Sequence, residues 1–108
     1  MFGRKNEQEP DFIVFTIHDS KSQSYDVPSF AKNKDVLLRD VLNMFNDPKQ
    51  AENRFLVNAE DYSIFKIGYY SKSTGKIESC NAEHICNLID LRSMSNWSRK
   101  PDMGIVPT

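Results

Sequence analysis

With 108 residues, 39% of them hydrophobic and 27% charged, the chain fits one globular domain with a modest core and is not a disordered segment. Fourteen Lys and Arg against fifteen Asp and Glu leave a formal charge of -1, which excludes attachment to a polyanion by total charge. Any nucleic-acid contact must come from uneven placement of the cations.

Residues 1–10 (MFGRKNEQEP) are polar, close on Pro10 and predict a flexible N-terminal arm. Their basic pair is followed by no apolar stretch, so no secretory signal is expected. Residues 11–18 (DFIVFTIH) are rich in β-branched and aromatic side chains and predict a strand, with Asp19-Ser20-Lys21-Ser22 as its turn. A second short strand is expected over residues 23–27, ended by Pro28, which has no N–H for a ladder. Residues 29–32 are a connector, and Asn33 is a good helix N-cap. Over residues 34–46 (KDVLLRDVLNMFN), Val36, Leu37, Val41, Met44 and Phe45, with Leu38 and Leu42, form an apolar stripe at helical spacing. Asp35 suits the positive end of that helix and Asp47-Pro48 stops it.

Phe55-Leu56-Val57 admits two readings, a short strand or a plug docked on the core, and the plug is favoured. Residues 61–71 (DYSIFKIGYYS) predict a long strand, Ser73-Thr74-Gly75 a turn, and residues 76–80 its return partner. Residues 81–92 show only partial helical spacing and poor alternation; they are expected as a loop with a strand-like end. Residues 93–108 predict an extended tail. The sum is an α+β domain over residues 11–92, a small antiparallel sheet of four to five strands in β-β-α-β-β order with one main helix on one face. No run approaches the roughly 20 apolar residues of a membrane span. Cys80 and Cys86 are too few for a disulfide framework and suit a reducing cytosol.

Side chains alternate across a strand, so each strand sorts into two faces. Ile13, Phe15 and Ile17, with Phe65, Ile67 and Tyr69, form the apolar seat expected for the helix. The opposite set combines Phe12, Thr16 and His18 with Tyr62, Ile64, Lys66 and Tyr70. Rings among cations and hydroxyls are what a flexible polynucleotide needs, since bases stack on rings and cations follow phosphates. On this reading Phe12, Tyr62, Tyr70 and Trp97 stack bases, while Lys32, Lys66, Lys72, Lys76, Arg92, Arg99 and Lys100 meet phosphate. The competing reading packs this face on the tail or on a second subunit, and a homodimer is expected from so small a core.

Other chemistry is poorly supported. Cys80, His84 and Cys86 fall one ligand short of a zinc set, and a Cys–His nucleophile lacks any oxyanion-hole glycine motif. Four glycines, at 3, 68, 75 and 104, form no phosphate-cradling loop. The expectation is a binding protein, neither an enzyme nor a metal or cofactor protein, with no small-molecule substrate and no membrane.

The run Phe15-Thr16-Ile17-His18-Asp19-Ser20-Lys21-Ser22-Gln23-Ser24-Tyr25, then Val27-Pro28-Ser29-Phe30-Ala31-Lys32-Asn33, resembles the opening of the small non-structural protein of gokushovirus-type microviruses. The likeness continues through the helix, Asn46-Asp47-Pro48, and Asn58-Ala59-Glu60-Asp61-Tyr62-Ser63-Ile64-Phe65-Lys66-Ile67-Gly68. It covers roughly residues 12–92 and departs over residues 49–56, which form a longer segment here. The resemblance implies a single-stranded DNA-binding accessory protein of a small phage, acting when duplex replication turns to single-stranded genome synthesis and packaging. Such a protein is made in the cytoplasm of the bacterial host and is not a stable virion component. The resemblance assigns no binding residues; the residues named above come from the face analysis.

Overall fold

The computed structural model describes residues 10–97. Strand β1 (Phe12–Asp19) lies at the centre of an antiparallel sheet. On one side it pairs along its full length with β4 (Tyr62–Ser71), which in turn pairs with β5 (Lys76–Asn87). On its other side β1 pairs first with β2 (Ser24–Tyr25) and then with β3 (Ser29–Ala31), so this edge is broken at residues 26–28. The broken edge follows from Pro28, which can neither donate to a ladder nor continue one. Residues 29–32, expected as a connector, thus hold a short edge strand in register with Ile13, Val14 and Phe15.

Helix α1 (Lys34–Asn46) begins where its cap chemistry dictates. The Asn33 side chain accepts the Val36 amide at 2.9 Å, and Asp35 sits in the first turn against the positive helix end. It ends at Asp47, whose carboxylate accepts the Lys49 amide at 2.9 Å as the chain enters a 3-10 turn over Pro48–Gln50. Leu37 and Phe45 bury the apolar stripe against Ile13 and Ile64 of the sheet. Fully burying a side chain of this size contributes roughly 1.5–3 kcal/mol. Phe55-Leu56-Val57 is the plug of the two readings, carried by a one-turn helix α2 (Arg54–Val57) that drives Leu56 into the same core. A second 3-10 turn, Ala59–Asp61, leads into β4.

The end of the chain departs from expectation. The return strand does not stop at residue 80 but runs to Asn87, and helix α3 (Leu88–Ser93) replaces the strand-like end. The domain also extends past residue 92. Trp97 is only 6% exposed, its ring edge-on to Phe45 at 6.0 Å, and the Asn96 amide donates to the Asn46 side chain at 2.9 Å. Among the described residues no helix is long and apolar enough to cross a membrane.

Candidate nucleic-acid interface

The faces of β1 are as its alternation predicts, and those of β4 are not. Val14 pairs with Gly68 but Phe15 pairs with Lys66, which leaves Ile67 as an extra residue on β4. A one-residue bulge exchanges the faces on either side of it. Tyr69 and Tyr70 therefore lie where strict alternation puts them, toward the helix and away from it. Before the bulge the order inverts. Ile64 is buried in the core and Tyr62 packs against it, while Phe65, aligned with Thr16 and His84, turns to the open face. Opposite Ile67, β5 carries three residues, 80–82, between the Glu83 and Ser79 pairings. Gly68 is obligatory beside this irregularity, because a Cβ there would lie 2.6 Å from the Glu78 carbonyl oxygen.

The open face carries two groups of rings. At one end Phe65 is the hub, with centroids of His84 at 5.3 Å and of His18 and Tyr25 each at 5.9 Å. At the other end Tyr70 lies 5.6 Å from Phe30 and 6.3 Å from Phe12. Four steps along β1, from Phe12 to Thr16, separate the ring layers, about 13 Å at roughly 3.3 Å per residue. Tyr25 and Phe30 stand 52% and 47% exposed. The cations sit at the second end. The Lys72 Nζ lies 5.7 Å from the Phe12 centroid while its amide donates to the Asp11 carboxylate, and Lys76 and Lys32 are exposed. Neither Lys32 nor Lys76 has an ion pair among the described residues.

A family model described as Phage ORF5 protein matches residues 12–91. The chain belongs to this family. It is a phage protein, and the match runs from the first residue of β1 into α3, taking in both ring groups. No curated protein and no solved structure matches the chain.

Several residues expected on a binding face serve the fold instead. Lys66 is 8% exposed; its Nζ donates to the Tyr69 hydroxyl at 2.6 Å and pairs with the Glu83 carboxylate at 3.0 Å. Those hydrogen bonds, Tyr69 first, hold its ammonium above the ordinary lysine range, and Lys66 in turn, with Lys34 beyond it, holds the Glu83 carboxyl below the usual carboxylate range. Tyr62 stacks edge-on to Phe55 at 4.9 Å on the helix side. The Arg92 guanidinium donates to the Val57 carbonyl at 3.0 Å and to Glu60 at 3.3 Å, tying α3 to α2. Trp97 is in the core. Thr16 faces the open side but is 2% exposed, its hydroxyl donating to the Asp26 carbonyl at 2.7 Å. Arg99 and Lys100 lie outside the described residues.

Phe12, Tyr70, Lys32, Lys72 and Lys76 are thus the expected site residues that stand where a ligand can reach them. The residues missed are Tyr25, Phe30, Phe65 and His84. A glycine within an apolar strand signals a bulge, so Gly68 after Ile67 was the available cue to the inverted register. His84 and Cys86 belong to opposite faces, aligned with Phe65 and Ile64 respectively. Burial, then the nearby Asp90, pushes the Cys86 thiol up to about 11, which keeps it protonated near neutrality. No group of three or more His, Cys, Asp or Glu among the described residues could hold a metal ion.

Proposed function

We propose that this ORF5-family protein binds single-stranded DNA across the open face, the rings stacking bases and the lysines meeting phosphate. The observation that carries the reading is two ring groups on one sheet face, with Lys72 against the Phe12 ring and Lys32 and Lys76 exposed at the same end of the sheet. Each stacked base contributes about 1–3 kcal/mol, and a ring accepts any base. The resemblance to gokushovirus-type microviruses supports a role in the turn from duplex replication to single-stranded genome synthesis and packaging, in the host cytoplasm and outside the virion. The protein is a binder without a catalytic step. The protonated Cys86 thiol, on the other face from His84, supports that part of the reading. Self-association belongs to it too, since β5 presents a 12-residue outer strand free of proline while the opposite edge is broken.

The test is an anisotropy titration of a labelled single strand beside its duplex, repeated across a salt series. Three lysine contacts give log affinity against log salt a slope of about -2, at roughly -0.7 per phosphate on single strands. Affinity insensitive to salt, or equal affinity for the duplex, would overturn the reading.

A second reading, a protein-interaction module such as an assembly factor or a modulator of a host replication protein, has its own observation. Between α1 and the β1–β3 edge lies an open apolar groove of about 560 Å³, lined by Phe15, Ile17, Val36, Val41, Met44 and Phe55. Under that reading, reversing the charges of Lys72 and Lys76 leaves function intact.

A further inference from the structure

At the Phe65 end of the open face two histidines flank one ring. His84 of β5 is aligned with Phe65, centroids 5.3 Å apart. His18 of β1 lies on the other side of Phe65 at 5.9 Å and packs on Tyr25 of β2 at 4.7 Å. The His84 Nε2 is 2.9 Å from the Asn87 side-chain oxygen, which also accepts the Ser63 hydroxyl at 2.7 Å. That contact holds the His84 ring and leaves its Nδ1 without a partner among the described residues. The His18 ring has ring contacts but no hydrogen bond among them. His84 is exposed and His18 half-buried, so a ligand can reach both.

The surroundings of these two rings are free of carboxylates. The described strands carry three acids, Asp19, Glu78 and Glu83, aligned with Tyr62, Tyr69 and Lys66, so all three belong to the helix side. Asp26 and Arg54 line a recess with Ile17, Phe55 and Tyr62 on that same side, where Asp90 also acts on Cys86. Asp61, ahead of β4, pairs with Lys21 of the β1–β2 turn at 3.6 Å. From β1, β2, β4 and β5, the titratable groups on the open face at this end are therefore Tyr25 and the two histidines. An imidazolium formed here meets no carboxylate of the described strands, and its counter-charge comes from outside the chain.

We infer that His18 and His84 form a second phosphate-binding site for the single strand, one that strengthens as the imidazoles take up protons. Histidine is the side chain that exchanges its proton between pH 5 and 8. A protonated ring donates from both nitrogens. His84 then keeps Nε2–H on Asn87 and turns Nδ1–H to a phosphate oxygen, while His18 offers either nitrogen. Such charge-assisted hydrogen bonds are roughly twice as strong as neutral ones. Phosphate favours the protonated ring, so by reciprocity protonation favours phosphate, and affinity rises as pH falls. The lysines at the Phe12 end stay charged throughout this range, so the change is confined to the Phe65 end.

This inference rests on the single-strand reading, and the experiment separates their failures. Labelled oligo(dT) is titrated at pH 8 and at pH 5.5, values that bracket histidine protonation, each across a salt series. The wild-type chain should gain about tenfold in affinity at the lower pH. Its slope of log affinity against log salt should steepen by about 1.4, two contacts at roughly -0.7 each. The double variant His18→Gln, His84→Gln should lose that gain, whereas Lys72→Ala, Lys76→Ala should bind more weakly and keep it. His84→Lys carries its charge at both pH values and should bind about threefold more tightly than the wild type at pH 8, a gain that no loss of folding can mimic. A wild-type chain with the same affinity and salt slope at the two pH values, or a double histidine variant that keeps the gain, overturns the histidine site and leaves single-strand binding standing. Absence of binding at both pH values overturns both.

Discussion

The two faces of this sheet are made from the same strands and the same residue types, and they differ in what becomes of the polar atoms. On the helix side, Lys66 is buried between Tyr69 and Glu83, which take two of its three N–H donors. On the open side, the Lys72 ammonium lies over the Phe12 ring, and at the same end of the sheet Lys32 and Lys76 stand without an ion pair among the described residues. Rings divide in the same way: Trp97 lies in the core and Tyr62 packs against it, while Tyr25 and Phe30 are about half exposed. A cation or an aromatic marks a binding surface only when the protein has not already used it, and pairing in the folded chain decides that more than residue identity does.

Adjacent residues of β4 allow the sharpest break of this contrast. Ile64→Ala should cost about 2–5 kcal/mol, the range for truncating a buried aliphatic side chain. In a domain of this size that lowers Tm by about 4–8 °C per kcal/mol, measured by thermal unfolding. Phe65→Ala should lower Tm by much less and reduce single-strand affinity severalfold. If Phe65→Ala unfolds the protein as readily as Ile64→Ala, the two faces are not distinct. At the next level, Lys66→Met should destabilise by about 1–3 kcal/mol, because the Tyr69 hydroxyl and Glu83 lose their partner. The double variant Lys72→Ala, Lys76→Ala should fold normally and flatten the salt dependence of binding by about 1.4 in slope.

The smallest effect is one of pH. The Glu83 carboxyl is held low in the folded chain by Lys66 and Lys34, so its contribution is fully present above the ordinary carboxylate pKa. It is lost as pH falls through the lower folded value. Denaturant unfolding followed from pH 7 to pH 3 should show a shallower acid loss in Glu83→Gln than in the wild type. Identical acid limbs would mean that the Lys66 pairing adds nothing measurable.

The parts legible in the sequence are those governed by local chemistry. Asn33 and Asp47-Pro48 bracket α1 because capping and proline sterics act within a few residues, and β1 declares both of its faces by plain alternation. The inverted half of β4 was not legible by alternation, since a bulge is set by what the neighbouring strands accommodate. It misassigned Tyr62 and Lys66 to the open face and hid Phe65. Residues 81–87 were not legible as a strand for a related reason. Ile85 falls between the pairings of Cys86 with Ile64 and His84 with Phe65, so the local pattern is neither helical nor alternating. Tyr25 and Phe30 were missed because a two-residue and a three-residue strand are too short to announce a face.

Ile67 has one further consequence. Strand β4 behaves like a ribbon with a half-twist sewn in, and removing that single residue would turn the upstream half inside out, sending Phe65 inward and Ile64 into water. The length of this strand should therefore tolerate alteration less than almost any one side chain upon it.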